Sequence, residues 1–307
     1  FDQAVQFKQA ALEYYEKSGD QFGVGMIWFD LAQINLSRGN FEQAFHAYKE
    51  QRRIYERAGN RRLVGINLSW ESLAASRYGT LEHALAIRKK SLEIAQEENS
   101  LNDTSWALWE LGEVYRLMGN FEQAQTWYQK SLPYFEKIQE NNGIGSYFRG
   151  LGDMALALGQ WEEAYQQFQK SVRALAQEHR AWRVWSLAYA QAGLGRALIG
   201  LGKFSEAREI LQKAIHNAPE SNAWDLIFLP LLGFASLFAA LGKSEQAIEL
   251  SAFILSQRLS WNETKRQARE VIESASRNLP EEVARAAQER GQAMNMDQAI
   301  ALALQED

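Results

Sequence analysis

Six residues, Gly39-Asn40-Phe41-Glu42-Gln43-Ala44, recur unchanged from Gly119 to Ala124. Looser copies stand at Gly79-Thr80-Leu81-Glu82-His83-Ala84, Gly159-Gln160-Trp161-Glu162-Glu163-Ala164, Gly202-Lys203-Phe204-Ser205-Glu206-Ala207 and Gly242-Lys243-Ser244-Glu245-Gln246-Ala247. Their glycines step by 40, 40, 40, 43 and 40 residues. A fixed period in this range means stacked copies of one supersecondary unit, none of which buries its apolar face alone.

Each copy sits between two apolar helical patterns, so each reads as the turn of a helix hairpin. Glycine suits the turn because the chain leaves the first helix through a left-handed conformation. The alanine five residues later lets the second helix lie close to the first. The third residue, Phe41, Leu81, Phe121, Trp161 or Phe204, is expected to plug the base of the hairpin, with Ser244 the departure.

The fullest repeat carries Leu108, Leu111-Gly112, Tyr115, Gly119, Phe121, Ala124 and Tyr128, and the first carries Trp28, Leu31-Ala32, Gly39, Phe41, Ala44 and Tyr48. Phe148, Leu151-Gly152, Gly159, Trp161, Ala164 and Phe168 repeat the pattern. These residues resemble the tetratricopeptide repeat over positions 1 to about 257. The resemblance implies an all-α, right-handed superhelical solenoid of hairpins with a period of about 40 residues. Residues 1–18 read as the second helix of a truncated repeat, 19–257 as six repeats, and 258–307 as C-terminal capping helices and a tail. Hairpins are expected to join near Gly19-Asp20, Gly59-Asn60, Asn99 to Asp103, Asn141 to Gly143, 179–183 and Ala218 to Asn222. In the second repeat Glu71 and Ser72 stand where Leu-Gly belongs, so Trp70 and Leu73-Ala74 suggest a shift of two. The 43-residue step falls around Ala174 to Trp185, beside Glu178-His179-Arg180, and a longer helix end is expected there.

The net charge is -5, with no basic run, which argues against a nucleic-acid partner. There is no cysteine, hence no disulfide or thiolate metal site. The longest apolar run, Leu226 to Leu241, is broken by Pro230, Gly233 and Ser236 and falls short of a membrane span. Phe1-Asp2-Gln3-Ala4 aligns with Phe41-Glu42-Gln43-Ala44, so the chain is expected to be a fragment that opens inside a hairpin.

A second resemblance lies in the tail. Ala286-Ala287 through Gly291-Gln292-Ala293-Met294, then Asp297-Gln298-Ala299-Ile300-Ala301 and Ala303-Leu304, is similar to the C-terminus of bacterial signal-transduction ATPases of the STAND class and of LuxR-type transcriptional regulators. It implies a cytoplasmic sensor domain in intramolecular contact with an N-terminal nucleotide-binding module. In that setting an inducer shifts the equilibrium by binding the active state more tightly.

No catalytic motif survives inspection. Gly242-Lys243-Ser244 lacks the earlier glycine of a phosphate loop, Leu237 standing in its place, and follows a helical pattern rather than a strand. Gly150-x-Gly152 and Gly193-x-Gly195 fall at small-residue packing positions. His46, His83, His179 and His216 lie in separate repeats without metal-ligand spacing. The segment is read as a non-enzyme that needs no cofactor.

What remains is a surface. The tetratricopeptide resemblance places the ligand-facing positions on the first helix of each hairpin, which lines the concave groove. Here these are Met26, Phe29 and Gln33, then Ile66, Ser69 and Leu73, then Trp106, Trp109, Glu113 and Arg116, then Ser146, Arg149 and Asp153, and lastly Tyr189 and Arg196. Rings supply contact area and bidentate arginines supply orientation, so the implied partner is a protein or peptide, or a small inducer. The competing reading has Trp106 and Trp109 packing between helices and the charged residues pairing with one another. A passive protein–protein scaffold and a sugar-like small-molecule receptor stay open as alternatives.

Overall fold

The computed structural model describes residues 2–78, 80–177, 182–220 and 224–305, with side chains for 6–78, 80–177, 186–217 and 226–305. Gly79 of the second copy, the irregular Glu178-His179-Arg180 and the centre of the turn expected at Ala218 to Asn222 lie outside the described residues. Among those described there are α-helices, one short 3-10 turn (Trp224–Ile227) and no strand. Two compact units result, 1–139 and 140–307.

Unit 1 holds α1 (Asp2–Ser18), α2 (Gln21–Ser37), α3 (Phe41–Arg57), α4 (Arg61–Tyr78), α5 (Leu81–Glu97), α6 (Leu101–Leu117) and α7 (Phe121–Lys137). Unit 2 holds α8 (Asn141–Ala157), α9 (Trp161–Ala176), α10 (Trp182–Gly200), α11 (Phe204–Glu220), α12 (Phe228–Ala240), α13 (Ser244–Ser256), α14 (Asn262–Ser276), α15 (Glu281–Ala293) and α16 (Met296–Leu304). Within each unit a first helix packs on the second helix of its own hairpin, and that second helix packs on the first helix of the next.

Each hairpin closes as its sequence dictates. Gly119 stands at φ +77°, where an L side chain is strained, and the Asn120 N–H donates back to the Tyr115 carbonyl at 2.9 Å. The same turn forms at Gly242 (φ +76°) between α12 and α13, so the Gly-Lys-Ser stretch follows a helix, not a strand. The alanines Ala44, Ala84, Ala124, Ala164, Ala207 and Ala247 are all completely buried. Between hairpins, Gly19 and Gly59 take the left-handed conformation, and Asn99 and Gln139 take it at φ +53°. The turn expected at Asn141 to Gly143 therefore lies earlier, at Gln139, and those three residues form the first turn of α8.

Helix pairing follows a rule of small against large. In Gly25/Ala32, Gly65/Ser72, Ser105/Gly112 and Gly145/Gly152, two small residues seven apart lie on the first helix. Large side chains of the second helix fill the space. A Cβ on Gly112 would lie 2.5 Å from the ring of the fully buried Tyr128, and one on Gly152 would lie 2.9 Å from Phe168. Trp161 behaves differently from the expected plug: it is 41% exposed and lies against Gly200 of α10.

The second repeat is not shifted. Ser72 is fully buried and donates from Oγ to the Ala84 carbonyl at 2.9 Å, so a serine fills the small position. Glu71 fills the leucine position, 2% exposed, because the Arg52 Nε reaches its Oε2 at 2.7 Å. Trp70 stacks on Tyr48 with centroids 6.3 Å apart. The shift by two is thereby corrected: a carboxylate paired with Arg52 and a hydroxyl stand in for Leu-Gly.

In unit 2 the largest apolar cluster surrounds Phe228, Phe234 and Phe238 of α12 and Phe253 of α13. The tail closes on it. α14 packs on α12 and α13, and α15 lies along α13 so closely that a Cβ on Gly291 would stand 2.2 Å from the Glu249 carbonyl oxygen. Asn295 and Gln298 form a reciprocal capping box that starts α16. No helix among the described residues is long and apolar enough to cross a membrane.

Candidate functional site

The expected ligand-facing residues form separate clusters within the two units. In unit 1, Phe29 is partly buried, edge-on to Trp70 at 6.0 Å. Gln33 donates from Nε2 to the Tyr48 hydroxyl at 2.9 Å. Burial pushes the Tyr48 phenol up from its ordinary value, opposed by the nearby Arg77. On α6 the Trp106 ring meets Trp109 edge-on at 5.8 Å and Phe135 at 5.0 Å. Trp109 itself is buried and faces the Tyr128 ring. Glu113 accepts a short hydrogen bond from the Tyr128 hydroxyl and a longer one, 3.4 Å, from Arg116 Nε. Arg116 is buried as well. For Trp109, Arg116 and Glu113, packing between helices is thus a large part of the role, while Trp106 and Phe29 are only partly buried.

A residue pair that the sequence reading passed over completes this wall. Arg88 of α5 is buried, donates to the Ser69 carbonyl at 2.7 Å and forms an ion pair with Glu110 of α6. Burial pushes the Arg88 guanidinium down, and the carboxylate opposes that shift. The available signal was an arginine inside the apolar stripe Ala84, Ile87, Ser91 and Leu92, a place where charge survives only if paired.

In unit 2, four expected residues do converge. The Arg149 guanidinium lies over the Tyr189 ring, 4.1 Å from its centroid, and reaches Asp153 Oδ2 at 3.6 Å. Tyr189 faces Trp261 at 5.9 Å. Arg196, two turns along α10, donates to Gln267 Oε1 of α14 at 3.1 Å. Asp153, Tyr189, Arg196, Glu263, Thr264 and Gln267 line a small cleft of about 20 Å³, together with Leu156, Ala192, Gly193 and Leu229. Burial pushes the Arg196 guanidinium down, and Asp153 and then Glu263 oppose this. The α14 side of the cleft was missed because a polar helix with Asn262 at its start reads as an end cap. Only its contact with α10, which spans 71 residues of sequence, shows that it also walls a site.

Chemically the cleft offers guanidinium donors, two carboxylates, an amide and a hydroxyl beside aromatic faces. Such a set holds a polar chain with alternating donors and acceptors and some apolar surface. Among the described residues no group of three or more His, Asp or Glu side chains is placed to hold a metal ion.

Two family profiles, both described as tetratricopeptide repeat, match the chain, one at residues 73–137 and 103–177 and the other at 155–227. A curated human protein (Homo sapiens), outer dynein arm-docking complex subunit 4, is 29% identical over 156 residues, 51% of this chain and 22% of that protein. The chain thus matches about a fifth of that relative's length. Among solved structures, a Rap protein complexed with competence and sporulation factor is similar over 95% of this chain and 79% of its own, with TM-score 0.71 and 15% identity. A Rap conjugation gene regulator of plasmid pLS20, in complex with the Phr* peptide, gives TM-score 0.65, 15% identity and the same coverages, 95% and 79%. A STAND protein with a tetratricopeptide repeat sensor from Pyrococcus horikoshii gives TM-score 0.54 and 16% identity over 91% of this chain and 40% of that one.

Proposed function

The chain belongs to the tetratricopeptide repeat family, and from that premise we propose that it is a non-catalytic domain that binds an extended peptide, with the cleft between α8, α10 and α14 as its anchor site. The observation that carries this reading is Arg196: a part-buried guanidinium lining a small cleft, bonded to the neutral Gln267 amide. A guanidinium presents five N–H donors, and a desolvated one is stabilised by acceptors placed in its plane. Backbone carbonyls of a peptide supply them, Asp153 and Glu263 accept its N–H groups, and Tyr189 and Trp261 give it an aromatic face. In unit 1, the partly buried rings of Phe29 and Trp106 provide a second surface for the same class of partner. One structural relative is a complex with the Phr* peptide and another a complex with competence and sporulation factor, and the first agrees with this choice of ligand.

The tail similar to STAND and LuxR-type regulators extends the reading: the domain acts as the cytoplasmic sensor of a larger regulatory protein. A gene that encodes no nucleotide-binding module on the same polypeptide would refute that extension without touching the peptide site.

The test is a screen of a random heptapeptide array against the parent chain and against Arg196→Gln, with Trp106→Ala as a second variant. Peptides selected by the parent are expected to bind Arg196→Gln at least tenfold more weakly. Selected peptides that bind both equally well would remove the cleft from the function.

A further inference from the structure

The cleft between α8, α10 and α14 stands shut. Its 20 Å³ holds about one water molecule, and no peptide group fits there until something moves. Arg196 Nη1 is already engaged, donating to Gln267 Oε1 of α14 at 3.1 Å. That acceptor is an amide carbonyl, the chemical equal of the backbone carbonyl a peptide presents. On the same rim the Trp261 ring, at the start of α14, lies 5.9 Å from Tyr189 of α10.

α14 is built in two parts. Its C-terminal part is anchored by apolar packing: Ala268 and Ala275 are buried, and Val271 and Ile272 pack against the core cluster of unit 2. The part that shuts the cleft, residues 262–267, reads Asn-Glu-Thr-Lys-Arg-Gln, and Thr264 is its one buried residue. The N-cap is Trp261, whose indole is a donor and gives no acceptor to the N–H groups of the first turn. α16, by contrast, starts on a full capping box. A helix start that is polar and capped by an indole opens at lower cost than the apolar turns behind it.

We propose that residues 261–267 are a gate over the peptide site and that Gln267 is its latch, an internal stand-in that leaves Arg196 when a peptide carbonyl takes its place. The proposal rests on the peptide reading of the cleft and adds its regulation. Trp261 and Glu263 move outward with the gate and become walls of the widened site. Peptide binds the open form, so its apparent affinity scales with the fraction of chains that are open. Substitutions at Gln267 therefore act with a sign that a fixed wall residue cannot give. Loosening the latch tightens peptide binding, and strengthening it weakens peptide binding.

The probe is the random heptapeptide array, read against the intact parent chain, Gln267→Ala and Gln267→Glu, with hydrogen exchange of the three chains measured without peptide. Array peptides are expected to bind Gln267→Ala about tenfold more tightly than the parent. Gln267→Glu places a carboxylate on Arg196 in a charge-assisted bond, and binding is expected to weaken about tenfold. In the free chains, the Lys265 N–H, which donates to the Trp261 carbonyl at 2.9 Å, and the amides up to 268 are expected to exchange about tenfold faster in Gln267→Ala and more slowly in Gln267→Glu, with 271–275 at parent rates. Equal or weaker peptide binding by Gln267→Ala would overturn the gate. So would exchange at 265–268 that ignores both substitutions or moves together with 271–275. The two readings fail separately: array peptides indifferent to Arg196→Gln remove the peptide site, while the exchange measurement, made without peptide, still decides the latch.

Discussion

Gly112→Ala should destabilise the third hairpin, even though alanine is the better helix former. The added methyl would stand 2.5 Å from both Cδ1 and Cε1 of Tyr128, about 1 Å inside ordinary contact. That ring has no exposed surface, faces Trp109, and is tethered by its hydroxyl to Glu113, so it cannot swing aside without breaking a buried hydrogen bond. Overpacking at such a site costs about 3 kcal/mol, the upper end of the usual range. The gain in helix propensity returns about 1 kcal/mol. The net loss is therefore about 2 kcal/mol. If the ring is the cause, the sign must reverse once the ring is gone: in a Tyr128→Ala background, Gly112→Ala should stabilise by about 1 kcal/mol, an interaction of about 3 kcal/mol across the cycle. Urea unfolding followed by circular dichroism, with hydrogen exchange of α6 and α7 as the local probe, measures both arms. A neutral or stabilising Gly112→Ala in the parent, or the same loss in both backgrounds, would refute the packing rule of small against large.

Three further outcomes follow from the same contacts. Arg52→Met should cost about 3–5 kcal/mol, because it leaves the Glu71 carboxylate, 2% exposed, without its cation; Arg52→Met with Glu71→Leu should restore stability, read as the urea midpoint. Gly291→Ala would drive a Cβ into the Glu249 carbonyl oxygen, so exchange protection along α15 should fall while that of α8 and α9 stays at its parent value. The raised Tyr48 phenol makes a signed prediction: the stability it contributes is complete below about pH 10, the ordinary tyrosine value, and is lost as pH rises above it. Tyr48→Phe, at a cost of about 1 kcal/mol for the Gln33 hydrogen bond, should flatten that alkaline slope in a pH series of thermal melts.

The hairpins were legible because glycine turns and completely buried alanines leave little freedom: a left-handed residue at Gly119 and a methyl at Ala124 admit one arrangement. The join at Gln139 was not legible, since a glutamine at φ +53° is carried by its neighbours and nothing in its side chain announces it. Glu71 and Ser72 misled for a related reason. Their fitness for a leucine–glycine slot depends on Arg52, 19 residues away, and on the Ala84 carbonyl. In the candidate site, Arg149, Asp153, Tyr189 and Arg196 were found by counting along first helices, whereas Glu263 and Gln267 were invisible to that count because α14 is not a repeat helix. Arg88 and Glu110 show the converse: the apolar stripe around Arg88 signals that it needs a partner, but nothing in the sequence says that the partner is Glu110, one hairpin on.

The seven-residue spacing of small positions has a consequence for how the chain is made. Gly112 meets Tyr128 only 16 residues on, and Gly152 meets Phe168 at the same separation, so the contacts that close a hairpin are local in sequence. Low contact order favours fast folding. At a synthesis rate of roughly 5–20 residues per second, one hairpin of this period emerges every ~2–8 s, long compared with the time two helices need to pair. Each hairpin therefore has time to pair its two helices before the next is complete, and stacks on its predecessor as it emerges, so the nascent chain never carries more than about one hairpin's worth of uncovered apolar surface.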